Sequence, residues 1–322
     1  MSLFSKINTE QGTFVFAGKY IKRGVSNMEL KIEHVTKKFK DKIAVEDVCL
    51  TLTPGVWGFL GANGAGKTTL MRIITDIMKP TNGKILYNGK NIYTMGAEYR
   101  NLLGFLPQEF GFPQDFSVKD YLEYIAALKD VPPREVKGKI NNLLEILTLS
   151  DVKNKKIIKL SGGMKRRVGI AQAMLNDPKI LIMDEPTAGL DPGERVRFRN
   201  FISEFSHNRV VLISTHIVSD IEYISTQNAI MKSGKILDVG TTDKLVKKVE
   251  GKVWECLISN RDISKYEMNL RIINQRSEKN NQVSIRYLAE KSQIDNSIAV
   301  EPRLEDLYLW LFPEAVYSKE GK

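Results

Sequence analysis

Gly61-Ala62-Asn63-Gly64-Ala65-Gly66-Lys67-Thr68 fits G-x-x-x-x-G-K-[ST] at every position. The apolar run Val56–Leu60 leads into it, and Leu70, Ile73, Ile74 and Ile77 follow at helical spacing. Strand, glycine-rich turn and helix in that order make a cradle for phosphate. Glycines let the backbone wrap closely round an anion with its N–H groups turned inward, and the helix N-terminus adds partial positive charge beneath them. Lys67 is placed to reach the β- and γ-phosphates of ATP, and the Thr68 hydroxyl to bind Mg2+, with Thr69 beside it as a further nucleotide contact. Glycine-rich turns are common, but a full match between a strand and a helix rarely arises by chance.

Working outward, Met28 to about Val249 alternates between short apolar runs and helical stretches. Ile180–Met183 and Val210–Ile213 resemble Val56–Leu60 in being apolar throughout. Such runs suit strands buried on both faces of a parallel sheet flanked by helices, the α/β layer architecture. Helices are expected over Lys67–Met78, Val118–Lys129, Gly162–Leu175 and Glu194–Phe205. After Gly251 the texture changes. Val253–Ile258 is strand-like, and Leu270–Asn274 and Val283–Leu288 flank a polar turn containing Asn280-Asn281, which reads as a hairpin. Leu304–Leu311 reads as a helix stopped by Pro313. The expected organisation is a domain over residues 28–250 and a small α+β appendage over 251–322.

Residues 1–27 carry no sustained period and read as a flexible leader. Lys22–Asn27 can be encoded by a purine-rich stretch resembling a bacterial ribosome-binding site just ahead of Met28. The leader is therefore either translated upstream sequence or a genuine flexible arm. It lacks the apolar core of a secretory signal.

Composition sets the outer limits. At 322 residues, 42% hydrophobic and 27% charged, the chain has the make-up of an ordinary soluble protein with a core large enough to need no metal or disulfide staple. No stretch approaches the roughly 18 apolar residues of a membrane span. Any work at a membrane then requires another polypeptide to cross it. The formal charge of +10 permits contact with nucleic acid or an anionic membrane, but the basic residues are scattered, and no nucleic-acid partner is expected. Cys49 and Cys256, without CxxC spacing, read as reduced, buried thiols.

A second acidic element supports the cradle. Ile180-Leu181-Ile182-Met183-Asp184-Glu185 is an apolar strand ending in two carboxylates. In a nucleotide site the first holds Mg2+ and the second accepts a proton from, or orients, the attacking water. Asp184 is thus the metal-associated residue and Glu185 the catalytic base.

Between the two elements lies Leu160-Ser161-Gly162-Gly163-Met164, followed by Lys165-Arg166-Arg167. This resembles the signature motif of ABC ATPases, and the rest of that family's pattern falls in order over residues 28–249. Phe39 stands where an aromatic ring stacks on adenine. Gln108 matches the Q-loop, which implies a catalytic place and a metal contact. Ala188-Gly189-Leu190-Asp191 matches the D-loop and His216 the switch histidine. The resemblance implies a P-loop nucleotide-binding domain with a mainly parallel sheet core, an antiparallel β part and a helical subdomain at about 110–175. It also implies that Ser161, Gly162, Gly163 and Asp191 serve nucleotide in a dimer, the signature helix facing the γ-phosphate held by a second copy of the chain. Met164 replaces the commoner Gln and loses one side-chain hydrogen bond. Phe39 in place of Tyr and Ala62 in place of Pro cost nothing essential.

The Ser-Gly-Gly-Met signature is similar to that of the daunorubicin- and bacteriocin-type exporter branch, in which a separately encoded transmembrane permease pairs with each ATPase. Gln108–Pro113, and Glu301–Leu311 near the C-terminus, are similar to that branch as well. The expectation is ATP hydrolysis coupled to transport, most simply export, at the cytoplasmic face of the membrane. The rival is a non-transport cytosolic ABC ATPase acting in assembly or on ribosomes or DNA. Ribosome-acting members usually carry two cassettes and DNA-repair members a long coiled-coil insertion; this chain has one cassette and only Leu86–Lys159 between cradle and signature.

Overall fold

The computed structural model describes residues 28–113 and 115–313; the leader expected over residues 1–27 and the stretch after Pro313 lie outside the described residues. The strands are β1 (Leu30–Phe39), β2 (Lys42–Leu52), β3 (Gly55–Leu60), β4 (Asn82–Tyr87), β5 (Lys90–Asn91), β6 (Leu103–Leu106), β7 (Ile180–Asp184), β8 (Val210–Ser214), β9 (Gln227–Lys232) and β10 (Lys235–Gly240). They are followed by β11 (Val253–Ser259), β12 (Arg271–Ser277), β13 (Gln282–Leu288) and β14 (Ile298–Ala299).

The central sheet runs β10-β9-β3-β8-β7-β6. All its pairings are parallel except that of β10 with β9. Both faces of the sheet are covered, which is why its middle strands are apolar throughout. In β7, Leu181 and Met183 enter one hydrophobic cluster while Ile180 and Ile182 enter another on the opposite face. In β8, Val211 and Ile213 divide from Val210 and Leu212 in the same way. Side chains alternate across a strand, so two cores demand an unbroken apolar run. Each fully buried Ile or Leu contributes roughly 1.5–3 kcal/mol.

One face carries the helices Val118–Leu128, Pro133–Ile146 and Gly162–Met174. The other packs against the antiparallel sheet β2-β1-β4-β5, with the cradle helix Lys67–Ile74 filling the space between through Leu70, Met71, Ile73 and Ile74. That helix stops four residues before the expected Met78. Thr75 Oγ1 donates back to the Met71 carbonyl at 3.0 Å, and Asp76 turns left-handed at φ 59. The helix Pro192–Phe205 starts earlier than the expected Glu194, because Asp191 caps it and Pro192 suits its first turn.

A third sheet, β12-β13-β11-β14, is antiparallel. Its β12–β13 hairpin turns at Asn280 and Asn281, both left-handed. The helix Leu304–Leu311 joins it to the rest, since Leu304, Leu307 and Phe312 share a cluster with Leu60, Val218, Ile221 and Ile230. Cys256 is buried as expected, but Cys49 is exposed. The sheet that carries Cys49 is covered on one face only, and Cys49 stands on the other. Among the described residues no helix is long and apolar enough to cross a membrane.

Candidate active site

Strands β3, β7 and β8 end side by side at one edge of the central sheet, with Asp184 paired to Ser214 and Phe59 to the same serine. Carboxyl ends of parallel strands are where α/β folds place their chemistry. The cradle residues Gly61–Thr68 leave β3 here. Gly66 is left-handed at φ 107, and a Cβ on it would lie 2.2 Å from the Ala44 carbonyl oxygen. A Cβ on Gly61 would lie 2.3 Å from the Met231 carbonyl oxygen, so both glycines are needed for the close approach of backbones. Asn63, Gly64, Ala65, Gly66, Lys67, Thr68 and Thr69 line a cleft of about 340 Å³ together with Gln108, Asp184 and Glu185.

Lys67 is buried at the floor of the cleft. Its Nζ donates to the carbonyl oxygens of Gly61 and Ala62. Burial pulls its pKa below the usual lysine value, partly offset by the negative charges of Glu185 and Asp184. Among the described residues this ammonium makes no ion pair. Asp184, 2% exposed, accepts from Thr68 Oγ1 at 2.7 Å and from Ser214 Oγ at 2.8 Å.

Glu185 takes a left-handed conformation at φ 54, unusual for a residue with a side chain and costing about 1–2 kcal/mol. Its N–H donates to the Ser214 carbonyl at 2.9 Å, while its Oε2 meets His216 Nδ1 at 2.8 Å. A carboxylate can only accept, so Nδ1 carries the proton in this contact. The pairing joins the end of β7 to the segment after β8.

Not every expected residue reaches the cleft. Phe39 lies at the exposed tip of the β1–β2 hairpin with Lys37 Nζ 5.2 Å from its ring centre, and it does not line the cavity. Lys42 and Ala44 of that hairpin do. Ser161 caps the helix Gly162–Met174 by accepting from the Met164 N–H at 3.2 Å. Ser161 and Gly162 are exposed, Gly163 half-buried, and all three stand outside the cleft. A Cβ on Gly163 would lie 2.8 Å from the Gly189 carbonyl oxygen, so the signature packs directly on the segment Ala188–Asp191. Asp191 caps the next helix, accepting from the Glu194 N–H at 2.7 Å, and Glu194 in turn pairs with Arg167 at 2.7 Å.

Sequence reasoning missed Arg166. It is buried and donates to the carbonyl oxygens of Asp184 and Glu185, to that of Gln108 at 2.7 Å and to that of Pro107 at 3.2 Å. Burial pulls its pKa down, against the opposing charges of Asp184 and Glu185. One guanidinium thereby fixes the backbone of Gln108 relative to the two acids. The available signal was that Arg166 shares a helix face with the buried Ile170 and Ala173.

The ABC transporter family pattern matches residues 45–188. Over 233 residues the chain is 33% identical to an uncharacterized ABC transporter ATP-binding protein, YxlF, of Bacillus subtilis (strain 168), covering 72% of this chain and 77% of that protein. The chain belongs to the ABC transporter ATP-binding family. Over 231 residues it is 32% identical to the Nod factor export ATP-binding protein I of Rhizobium sp. (strain N33), covering 70% of this chain and 74% of that one. A solved ATP-binding subunit of an ABC transporter superposes with a TM-score of 0.64 at 25% identity, over 68% of this chain and 92% of the other. ATP binding and ATP hydrolysis are therefore its chemistry, on the fold of an ABC cassette.

The donors at Thr68 and Asp184 suit the Mg2+ that accompanies ATP in such sites. Both are hard oxygen donors, and among the described residues the buried Asp184 carboxylate accepts its hydrogen bonds from the hydroxyls of Thr68 and Ser214. The ordinary reading of an acid at a strand end, a solvated charge, does not fit a side chain this buried.

Proposed function

We propose that this chain is the ATP-hydrolysing subunit of an exporter, working as a dimer on a separately encoded transmembrane permease at the cytoplasmic face of a membrane. The observation that carries the reading is the contact of His216 with Glu185 at 2.8 Å, His216 standing outside the cleft that Glu185 lines together with Lys67 and Asp184. Lys67 and the amides of Gly61–Thr68 bind the β- and γ-phosphates. Phe39 stacks on adenine from the neighbouring hairpin. Thr68, Asp184 and Gln108 hold Mg2+, which when bound offsets the negative charge on the phosphate oxygens. Glu185 accepts the proton of the attacking water, and His216 orients the carboxylate for it. Arg166 keeps Gln108 in register with both acids.

Ser161, Gly162, Gly163 and Asp191 stand outside their own chain's cleft, which supports a role at the nucleotide of a second copy. The export direction rests on likeness to the Nod factor export protein and on the Ser161–Met164 signature. Residues 28–250 form the catalytic cassette in this reading and 251–322 an accessory domain.

Glu185→Gln tests the assignment. The amide keeps the shape but cannot serve as base, so turnover falls about 10²–10⁴-fold while ATP binding persists. Turnover within a few-fold of the parent would remove Glu185 from the role.

A further inference from the structure

Two bulges in the antiparallel sheet put a histidine, an aspartate and a cysteine together, and none of the three lines the nucleotide cleft. β1 and β2 pair Ile32 with Leu50 and then Val35 with Val48, so Glu33 and His34 together face Cys49. The next rungs pair Val35 with Val48 and Lys37 with Val45, which leaves Glu46 and Asp47 facing Thr36. An extra residue on one strand and then on the other restores the register. Each bulge turns at a left-handed residue, His34 at φ 52 and Asp47 at φ 48. His34 Nδ1 meets Asp47 Oδ1 at 2.8 Å, and the His34 backbone N–H donates to Cys49 Sγ at 3.3 Å. One ligand atom from each of the three side chains lies within 4.8 Å of the other two.

We propose that His34, Asp47 and Cys49 bind a divalent transition-metal ion of the Zn2+ class. An imidazole, a carboxylate and a thiolate are the donor types such ions take, whereas Mg2+ has no use for sulfur. A Zn2+ ion with bonds of about 2.0–2.3 Å needs donors roughly 3.3–3.8 Å apart. The three side chains are exposed, and binding would open the 2.8 Å His34–Asp47 contact and draw in separations of up to 4.8 Å. The carboxylate and thiolate charges together balance a divalent cation. Three protein donors leave a fourth position for water. A surface His–Asp pair alone is worth about 0–1 kcal/mol and would not require a sulfur beside it. The chain would then sort two cations by donor hardness: oxygens at Thr68 and Asp184, mixed nitrogen, oxygen and sulfur here.

Titration of the reduced full chain with Co2+ reads the site directly, because a thiolate bound to cobalt gives a charge-transfer absorption that oxygen sites cannot give. The band should saturate at one ion per chain and be displaced by Zn2+. Cys49→Ser should abolish it and Cys256→Ser should leave it intact. His34→Ala and Asp47→Asn should each weaken the affinity about tenfold or more. Absence of the band in the parent chain, its survival in Cys49→Ser, or unchanged affinity in both other variants would overturn the proposal. None of these readouts depends on the ATPase assignment.

Discussion

Two clusters of buried charge sit in different parts of this molecule and are finished differently. In the third sheet, Arg286 forms a closed set. Its guanidinium donates to Asp306 at 2.6 and 3.1 Å, to Glu255 at 2.7 Å and to the Glu301 carbonyl at 2.9 Å. Burial alone would lower its pKa, but the hydrogen bonds it donates to Asp306 and Glu255 outweigh that and hold it above the usual arginine value. At the nucleotide site, Lys67 in the cleft and Arg166, bonded to the backbone of its two acids, both donate to carbonyl oxygens, and burial wins in both. The first cluster closes its charge in direct ion pairs; in the second Asp184 and Glu185 offset only part of the burial, and among the described residues Lys67 makes no ion pair and stays open to an anion. Two sets of buried ions can therefore be sorted into structural and ligand-binding by asking whether the cation is already bonded directly to a carboxylate.

That distinction breaks if removing Arg286 is harmless. Arg286→Ala should cost about 3–5 kcal/mol, since it leaves the buried Asp306 carboxylate without a countercharge, holding only the Arg303 N–H at 2.7 Å. Leu304 and Leu307 share a core with Leu60 and Ile230, so the loss should lower a single melting transition of the whole chain. Calorimetry that shows a separate early transition, with the cassette unaffected, would mean that the third sheet melts on its own.

Lys67→Ala is the counterpart in the open cluster. Folding stability should change little, because the lost hydrogen bonds go to carbonyls and a buried ammonium is relieved. ATP affinity should fall about 10–100-fold, the equivalent of roughly 1.5–3 kcal/mol for bonds between charged groups. A fluorescent-ATP titration alongside urea denaturation separates the two quantities. A large loss of stability with unchanged affinity would reverse the comparison.

The same contrast explains what the sequence made legible. Phosphate chemistry restricts residue types at fixed spacing, so Gly61–Thr68 and the acids after β7 could be read directly. The unbroken apolar runs of β7 and β8 followed from burial on two faces, and the β12–β13 hairpin from Asn280-Asn281. Arg166 was opaque because its partners are backbone carbonyls far away in sequence, which leave no residue-type trace. The exposure of Cys49 depended on two bulges at His34 and Asp47, where residues other than glycine turn left-handed. Arg286 belongs to no motif, and only the pairing of β13 sets it against Asp306. Register and bulges arise from pairing between strands, and local pattern carries little of either.

The smallest effect sharpens the rule from a third position. Lys129, at the end of the helix Val118–Leu128, donates to Asn176 Oδ1 at 2.9 Å and to the Leu103 carbonyl at 3.3 Å. Among the described residues it makes no ion pair, and it lines no part of the cleft. Burial lowers its pKa to about 8 from 10.5. Below pH 8 the lysine is charged in both folded and unfolded chains, so the full penalty of burying the ammonium is present. Between about pH 8 and 10.5 the folded lysine is neutral while the unfolded one still holds its proton, so stability rises with pH across that window. Lys129→Met should therefore stabilise the chain by about 1–2 kcal/mol at pH 7, a value discounted for the two hydrogen bonds it gives up. The advantage should shrink at pH 9.5 and vanish above the unfolded value. Urea denaturation of parent and variant at the two pH values measures the difference. An equal gain at both would show that apolar packing, rather than an uncompensated charge, is what the substitution changes, and Lys129 would then leave the class that Lys67 defines.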